Sequence, residues 1–252
     1  MISLASVISC TGNVAGRNTK VEVLVIGGGA SGTMAGIQSA RLGVQTMIVE
    51  ETPWLGGMLT SAGVSAIDGN HRLHSGLWNE FRQNLYDHYG GADAVKTGWV
   101  SNVLFEPSVG AAILMKMAGA EPALKVRFGS RLLSLKKTRD GWRAVFISEE
   151  GAYTVKASVL IDGTELGDVA KMAGVPYSIG MDSRYDTGEA IAPEEANDIV
   201  QDLTYVVVLQ DFGSEADKTV ARPVNYDPAP FRCTCASPAC GEDRYGRKLW
   251  GC

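Results

Sequence analysis

The sequence has no apolar run that approaches the roughly 18 residues needed to cross a bilayer as a helix. Its 23 Lys and Arg residues are outnumbered by 28 Asp and Glu residues, which gives a formal net charge of −5. The basic residues are also scattered along the chain. This charge pattern indicates neither a nucleic-acid-binding surface nor a polybasic membrane patch.

The sequence also lacks the motifs of hydrolytic and zinc-dependent catalysis. It has no Gly-x-Ser-x-Gly nucleophile turn and no His-Glu-x-x-His metal motif, and it holds only three histidines. His71 and His74 follow a glycine-rich segment from which they could approach a cofactor, although a structural role is favoured. Glu50 and Glu51 are adjacent at a predicted strand end, so their side chains point in opposite directions and cannot form a carboxylate dyad. Hydrolase and lyase mechanisms are not supported.

A strand–turn–helix pattern near the N-terminus is the most informative feature present. The β-branched run Val21 to Ile26 predicts a buried parallel strand, and three consecutive glycines follow it. In this pattern Gly27 allows a tight turn, Gly29 removes a side chain that would block a pyrophosphate, and Gly32 lets the next helix lie close to the sheet. The helix is predicted from Ala30 to Leu42. The pattern is typical of a dinucleotide-binding βαβ unit.

The same unit predicts how the nucleotide is held. Backbone N–H groups at the start of the helix, around Ala30 and Ser31, face the diphosphate, and the helix dipole favours its negative charge. The second strand, Val44 to Val49, ends in Glu50, whose carboxylate can accept hydrogen bonds from both ribose hydroxyls. Glu51 is the second acidic candidate at this strand end. A 2′-phosphate would be repelled there.

Two later segments extend the pattern. Gly56 and Gly57, followed by Met58, come shortly after the acid. An apolar strand at Val159–Asp162 then runs into a turn that contains Gly163 and is followed by Asp168. Together with the first motif, these segments resemble FAD-dependent oxidoreductases of the glutathione-reductase-like superfamily. Within it, they resemble the family that includes xanthan-lyase-like proteins and flavin subunits of the heterodisulfide-reductase type.

The resemblance covers roughly residues 21–190 and implies FAD as the cofactor. It implies an α/β fold, a Rossmann-like FAD-binding domain with a parallel sheet and an inserted antiparallel β-meander. It places the Gly56-Gly57 pair and Met58 along the cofactor towards the flavin, and backbone near Leu132 against the adenine. The chain departs from the family pattern at Pro53-Trp54, where a basic residue is usual, and at Gly163 and Glu165.

The rest of the chain is predicted more coarsely. Helices are expected at Gly76–His88, Pro107–Ala118 and Glu194–Asp202, the antiparallel meander between Lys125 and Val155, and strands at 158–162 and Leu203–Leu209. We divide the chain into a leader at 1–20, an FAD-binding domain at 21–177 and the incomplete start of a substrate or cap domain at 178–252. On this interpretation the chain is a fragment, because the resembled proteins return to the flavin with a later segment.

The N-terminus leaves two interpretations open. Residues 1–10 form an apolar, small-residue stretch that ends in Cys10, which resembles the lipobox of a bacterial lipoprotein signal. No basic residue precedes the stretch, and Val7 stands where Leu is commoner. The protein is thus either exported to the periplasm, with membrane attachment only through a lipid on Cys10, or cytoplasmic with an unstructured leader.

The last cysteines bear on the same choice. Cys233, Cys235, Cys240 and Cys252 lie close together in sequence. In an exported protein they could form two disulfides in any of three pairings. Inside the cell they could hold zinc or an iron–sulfur cluster, although their spacing fits no standard ligand pattern well.

Three functions follow from these features. The first is an FAD-dependent oxidoreductase that moves a hydride or electrons from a small organic substrate to the flavin, with an electron acceptor that the sequence does not identify. The second is a flavin-binding remnant without turnover. The third is an electron-transfer subunit whose C-terminal cysteines hold a cluster.

Overall fold

The computed structural model describes residues 18–96, 101–201, 206, 212–214, 216–227 and 229. Cys10 and the four C-terminal cysteines lie outside the described residues, as does the strand predicted at Leu203–Leu209, apart from Val206. The predictions made for those segments therefore stay predictions.

The chain builds one six-stranded sheet whose strand order is β3-β2-β1-β6-β5-β4. Its strands are β1 (Asn18–Ile26), β2 (Thr46–Val49), β3 (Leu124–Arg127), β4 (Arg131–Thr138), β5 (Gly141–Ser148) and β6 (Gly151–Asp162). The first four strands in this order are parallel, and β6, β5 and β4 form an antiparallel meander. The predicted α/β fold, with a parallel sheet and an antiparallel meander, is confirmed.

Strand β1 lies in the middle of the sheet and pairs on both of its edges. Leu24 of β1 is opposite Met47 of β2 on one side and opposite Leu160 of β6 on the other. The three strands therefore end together, and the segments that follow them meet at one edge of the sheet. In open α/β sheets this carboxyl edge is where ligands bind.

Five helices accompany the sheet among the described residues. They are α1 (Ala30–Arg41), α2 (Gly76–Tyr89), α3 (Pro107–Gly119), α4 (Asp168–Met172) and α5 (Arg184–Thr187). Single 3-10 turns lie at Gly57–Leu59 and Ala92–Val95. The helices predicted from the periodicity at 30–42, 76–88 and 107–118 thus agree with α1, α2 and α3 to within one residue at each end.

Both faces of the central strands are buried, as expected for parallel strands. Val23 and Val25 of β1 pack into a cluster with residues of α1, α2 and α3. Leu24 and Ile26 point to the opposite face and pack with residues of β2, β5 and β6 and with Val169 of α4. The alternation along β1 therefore anchors two cores, one on each side of the sheet.

Three sequence predictions are wrong in detail. The run around Val126 is not part of the meander, because β3 pairs in parallel with β2 at the other edge of the sheet. The segments predicted as separate strands around Val155 and at 158–162 form one continuous strand, β6. Residues 194–201 form no helix, and Asn197 instead makes an isolated bridge with Met181.

Contacts between residues divide the chain into two units, Met1–Val208 and Leu209–Cys252. The sheet and all five helices belong to the first unit. Within the described part of the second unit, Lys218 lies over the ring of Phe212 and Arg222 over the ring of Tyr226.

The described ranges contain no helix with the length and apolar character that a membrane span requires.

Candidate cofactor-binding site

The turn after β1 is built so closely that it requires glycine. Gly27 has a φ of +94°, and its N–H donates a 2.8 Å hydrogen bond to the carbonyl of Val49 at the end of β2. A Cβ on Gly27 would lie 2.3 Å from the carbonyl oxygen of Gly163. Gly163 in turn donates its N–H to the Ile26 carbonyl at 2.8 Å. The first and last predicted motifs are thus in direct backbone contact.

The start of α1 lies against this turn. A Cβ on Gly32 would be 2.0 Å from the carbonyl oxygen of Gly27 and 3.3 Å from Val25 Cγ1 in the sheet. A Cβ on Gly163 would be 2.9 Å from the Gly32 Cα. The predicted reason for Gly32, close approach of the helix to the sheet, is therefore correct.

Gly29 is different, because nothing in the described structure requires it to be glycine. Its φ of −60° is open to any residue, and a Cβ there would meet only the Gly163 carbonyl oxygen, at an ordinary 3.6 Å. Residue 29 thus leaves the backbone uncovered here, although the fold would accept a side chain at this position. This is the arrangement expected where a ligand's diphosphate approaches the backbone, and the residues present therefore fit a bound dinucleotide.

The amides at the start of α1 point out of the helix end. The first hydrogen bond of the helix runs from the Thr33 N–H to the Gly29 carbonyl at 2.9 Å. The N–H groups of Ala30, Ser31 and Gly32 precede it, and such groups have no partner within a helix. Together with the helix dipole they favour an anion at this end of α1.

Glu50 is positioned at the tip of β2 by two backbone hydrogen bonds. Its Oε2 accepts one from the Gly28 N–H at 2.6 Å, and its Oε1 accepts one from the Thr52 N–H at 2.7 Å. The residue is only 8% exposed. An ionised carboxylate has about four acceptor positions, so capacity remains for ribose hydroxyls. Glu51, by contrast, is exposed.

The loop before β4 lies next to this acid. The Ser130 N–H donates to the Glu50 carbonyl at 3.1 Å, and Ser130 is buried. Leu132 follows in β4, opposite Phe146, at a bulge in the pairing between β4 and β5. The backbone around Leu132 is therefore close in sequence to a residue that contacts the Glu50 backbone.

The glycine pair joins the same surface. Gly56 donates its N–H to the Gly28 carbonyl at 2.8 Å, and Gly56 also forms an isolated parallel bridge with Gly29. A Cβ on Gly57 would lie 2.9 Å from the Gly29 Cα. Met58 follows in the 3-10 turn and is half exposed. Two motifs separated along the chain thus form one continuous glycine surface.

Asp162 organises the segment that carries Gly163 and Asp168. Its Oδ1 accepts hydrogen bonds from the N–H and the hydroxyl of Thr164, at 2.9 and 2.6 Å. Its Oδ2 accepts one from the Ala170 N–H of α4 at 2.8 Å. Asp168 itself is exposed at the first position of α4, and its N–H donates to the Thr164 hydroxyl.

The structure therefore brings together most of the predicted site residues. The glycines at 27, 29, 32, 56, 57 and 163 meet at one surface, with Ala30 and Ser31 at the adjoining helix end and Glu50 beside them. Glu51, Met58 and Asp168 are exposed, and they follow shortly after Glu50, Gly57 and Gly163 in the sequence. Leu132 lies in β4. Their roles, like those of the other site residues, stay predictions.

Sequence reasoning missed Gly28, Ser130 and Asp162. Ser130 acts through its backbone N–H, which leaves no mark in the residue type. Gly28 also acts through its N–H, but its residue type is restricted, because a Cβ there would lie 2.8 Å from Leu55 Cδ2 and 3.1 Å from the Glu50 side chain. Asp162 could have been found, because an Asp two residues before a Thr at a strand end is a typical Asx-turn signal.

The loop that carries His71 and His74 is held by α2. Arg82 is fully buried, and it donates to the His71 carbonyl, to His74 Nδ1 at 2.9 Å and to Asn79 Oδ1 at 2.8 Å. Because arginine only donates, His74 Nδ1 is the acceptor in this contact. Trp78 Nε1 donates to the Asn70 carbonyl of the same loop. The His74 ring and the His71 backbone carbonyl thus anchor the loop to α2.

A cavity of about 460 Å³ lies beyond the glycine pair in the first unit. Its lining is mainly apolar and comes from residues 63–66, Tyr89, Ala94, residues 104–107 and Val206. The Val64 N–H donates to the Met58 carbonyl at 2.9 Å, which ties the cavity wall to the 3-10 turn. No group of His, Cys, Asp and Glu residues within the described part of the chain could hold a metal ion.

The parallel strands, the glycine surface at their carboxyl ends and the acid at the tip of β2 define a Rossmann-type dinucleotide-binding protein. A family profile described as FAD dependent oxidoreductase matches residues 22–248. The chain belongs to this family, and its cofactor is FAD. The description of the family names FAD-dependent oxidation and reduction as its general chemistry.

Several solved enzyme structures are similar to the chain at low identity. The p-nitrophenol 4-monooxygenase of Pseudomonas putida is 15% identical, with a TM-score of 0.49 over 65% of this chain and 46% of that one. The anhydrotetracycline hydroxylase of Streptomyces rimosus is 16% identical, with a TM-score of 0.48 over 66% and 36%. The L-proline dehydrogenase of P. horikoshii is 13% identical, with a TM-score of 0.37 over 59% and 23%.

The chain spans less than half the length of each of these three structures. No curated protein matches it significantly.

Proposed function

We propose that this chain holds FAD in an enzyme that oxidises a small organic substrate, with a hydride or electrons passing from the substrate to the flavin. The observation that carries the proposal is Gly29. Its conformation and its surroundings would both accept a side chain, so the glycine is explained by a ligand that approaches the backbone there. Family membership supports flavin as the redox group.

Each part of the cofactor has its own residues in this proposal. The diphosphate lies at the start of α1, against Gly29 and the N–H groups of Ala30 and Ser31. The Glu50 carboxylate accepts hydrogen bonds from the adenosine ribose, for which it is already oriented by the Gly28 N–H. The backbone near Leu132 contacts the adenine.

The remaining predicted residues lie on the flavin side. Gly56, Gly57 and Met58 run along the cofactor towards the flavin, while the Gly163 turn and Asp168 close the site from β6. Bound FAD supplies a two-electron acceptor for the substrate, and the protein positions it and excludes competing reactions. An electron acceptor of unidentified class must then reoxidise the flavin.

Visible absorbance of the purified full-length chain tests the proposal. We expect two flavin bands that bleach when an organic electron donor or dithionite is added. A colourless protein that takes up no FAD supplied in excess would overturn it. Flavin that dithionite bleaches but that no donor in a broad panel of alcohols, amines and acids reduces would instead support a flavin-binding protein without turnover.

The same visible spectrum tests the alternative that the chain is an electron-transfer subunit with a cluster on its C-terminal cysteines. Iron bound in stoichiometric amount, with broad absorbance near about 400 nm beneath the flavin bands, would support a cluster on the C-terminal cysteines. Replacing Cys233 and Cys235 by Ser should remove that absorbance and leave the flavin bands.

The lipid anchor on Cys10 is proposed separately, and incorporation of labelled palmitate that is lost in a Cys10→Ser variant would support it.

A further inference from the structure

The cavity beyond the glycine pair has a rigid floor. The segments around Ser65 and Phe105 run antiparallel, and the Phe105 N–H donates to the Ser65 carbonyl at 3.1 Å. The Ile67 N–H donates to the Val103 carbonyl at 3.0 Å. Val103 and Phe105 are buried. The shape of the cavity is therefore set by paired backbone and core side chains, and its volume of about 460 Å³ is in the range of small-molecule sites.

One end of the cavity is polar and carries a closed pair of side chains. The Tyr89 hydroxyl accepts a 2.9 Å hydrogen bond from the Glu106 N–H and donates its own hydrogen to the Glu106 carboxylate. Tyr89 ends α2, and Glu106 is the N-cap residue of α3. The pair thus joins two helices at the mouth of the cavity.

The chemistry of this pair restricts what can bind beside it. A phenol has one hydrogen to donate, and Tyr89 uses it on Glu106. The Glu106 N–H is used on Tyr89, an ionised carboxylate only accepts, and Pro107 has no N–H. The polar end formed by these three residues therefore offers acceptors and negative charge, and it offers no donor.

We propose that this cavity binds the organic substrate, and that the substrate is a mainly apolar molecule bearing a hydroxyl or amino group that donates to Glu106. The inference rests on the proposed function, because it takes the bound molecule to be the electron donor. The position supports it, since the Val64 wall is hydrogen-bonded to Met58 of the glycine-pair turn. Carboxylates and phosphates are disfavoured at the polar end by charge, because Glu106 would face them there and neither Tyr89 nor Pro107 offers a compensating donor.

A matched set of aromatic probes tests the inference. Benzylamine, benzyl alcohol and benzoate have the same ring and differ in the polar group. With the FAD-loaded full-length chain, ligand-observed NMR titrations should show benzylamine and benzyl alcohol binding at least about tenfold more tightly than benzoate. In Glu106→Gln, whose amide adds donors and removes the charge, the ratio of benzylamine to benzoate affinity should fall to about threefold or less.

A second pair of variants locates the binding. Ala94 lines the cavity and is exposed, so Ala94→Trp should fill the mouth and abolish probe binding. Ala120 is an exposed alanine at the end of α3, away from the lining, and Ala120→Trp should bind the probes like wild type. Thermal unfolding followed by circular dichroism checks that both variants are folded.

The outcomes separate this inference from the proposed function. Benzoate binding as tightly as benzylamine, or probe binding that Ala94→Trp leaves unchanged, would overturn the inference even when the flavin bands are present. Absence of bound flavin would overturn the proposed function and with it the assignment of the ligand as electron donor. Glu106→Gln keeps the side-chain volume at an exposed position, so its result does not depend on a marginal fold.

Discussion

Glu50 and Gly28 are joined by a 2.6 Å hydrogen bond from the glycine N–H to the Glu50 carboxylate. The bond connects the tip of β2 to the turn that follows β1, and both groups are buried. The acid that is expected to bind ribose is therefore fixed in place by the turn that is expected to bind the diphosphate. Such preorganisation lowers the entropic cost of ordering these groups when a ligand binds.

Gly29→Ala should separate cofactor binding from folding. A methyl group at this position meets only the Gly163 carbonyl oxygen at 3.6 Å, but Gly29 is the N-cap residue of α1, where glycine is preferred to alanine. The free energy of unfolding should therefore change by no more than about 1 kcal/mol, because the lower entropy of the unfolded alanine chain opposes the loss at the cap. The same methyl group would stand where the diphosphate approaches, and FAD affinity should fall by about tenfold or more. Urea denaturation and a titration of FAD fluorescence quenching measure the two effects.

Gly32→Ala is the contrasting variant. Its methyl group would be 2.0 Å from the Gly27 carbonyl oxygen, so the helix and the turn must separate. We expect a loss of unfolding free energy of about 2 kcal/mol or more. If Gly29→Ala instead destabilises the fold as much as Gly32→Ala, with unchanged FAD affinity in the folded fraction, the ligand-based explanation of Gly29 is wrong.

Glu50→Gln should weaken both the turn and the cofactor site. The amide keeps one acceptor oxygen but places a donor next to either the Gly28 or the Thr52 N–H. The unfolding free energy should fall by about 1 kcal/mol. FAD affinity should fall by roughly tenfold, because charge-assisted bonds to ribose are lost. Calorimetric titration with FAD and urea midpoints provide the measurements.

The control for Glu50 is Glu149→Gln, which removes the same charge from an exposed position between β5 and β6. It should change neither quantity. An equal loss of FAD affinity in both variants would show that net charge, and not the position of Glu50, matters. Glu51→Gln in the same series tests the second acidic candidate.

Arg82→Met should destabilise the first unit by about 3 kcal/mol. The buried guanidinium donates to the His71 carbonyl, His74 and Asn79, and these acceptors would be left without a donor. Arg82→Lys should recover little, because an ammonium cannot reproduce the fork of the guanidinium. Urea denaturation followed by circular dichroism and by tryptophan fluorescence tests this. A methionine variant as stable as wild type would show that burying the charge costs as much as its contacts contribute.

The ion pair between α1 and α2 predicts a pH-dependent stability. Arg41 donates to both carboxylate oxygens of Glu80 at 2.6 and 2.7 Å, and this hydrogen-bonded contact holds the pKa of Glu80 below its usual value of 4.5. A lowered folded-state pKa stabilises the fold above pH 4.5, and the contribution disappears as the pH falls through the folded-state pKa.

Arg41→Met should therefore lower the unfolding free energy by about 1 kcal/mol near neutral pH, a value that allows for partial solvent exposure. The difference from wild type should shrink steadily as the pH is lowered from about 5 to about 3. Urea midpoints across this range measure it. A difference that is the same at both ends of the range would mean that the loss arises from packing of the Arg41 side chain and not from its charge.

The sequence predicted the parts of the fold that depend on local pattern. The βαβ unit and the helices α2 and α3 were located because buried strands and amphipathic helices leave periodic apolar residues. The role of Gly27 could be predicted for a different reason, since a tight turn restricts the residue type. Family membership confirms the FAD assignment that those motifs suggested.

The errors concern pairing between distant segments. Alternating residues around Val126 are equally compatible with a hairpin strand and with a parallel edge strand, and only the contact with β2 decides. The segments predicted around Val155 and at 158–162 are one strand, β6, which runs through the exposed polar residues Lys156 and Ser158. The stretch at 194–201 begins with two Glu residues but forms no helix, and its Asn197 makes a bridge with Met181 instead. Tertiary contacts override local propensity at each of these places.

The central position of β1 has a consequence for synthesis of the chain. One edge of β1 is completed by β2 early, but the other waits for β6, so that Leu24 meets Leu160 only after the meander has been made. A nascent chain shorter than this exposes an apolar strand with free backbone groups on one side, a state prone to aggregation. Ribosome-bound intermediates that stop before β6 should accordingly need a chaperone, and removal of the β4–β5 hairpin should not relieve that dependence.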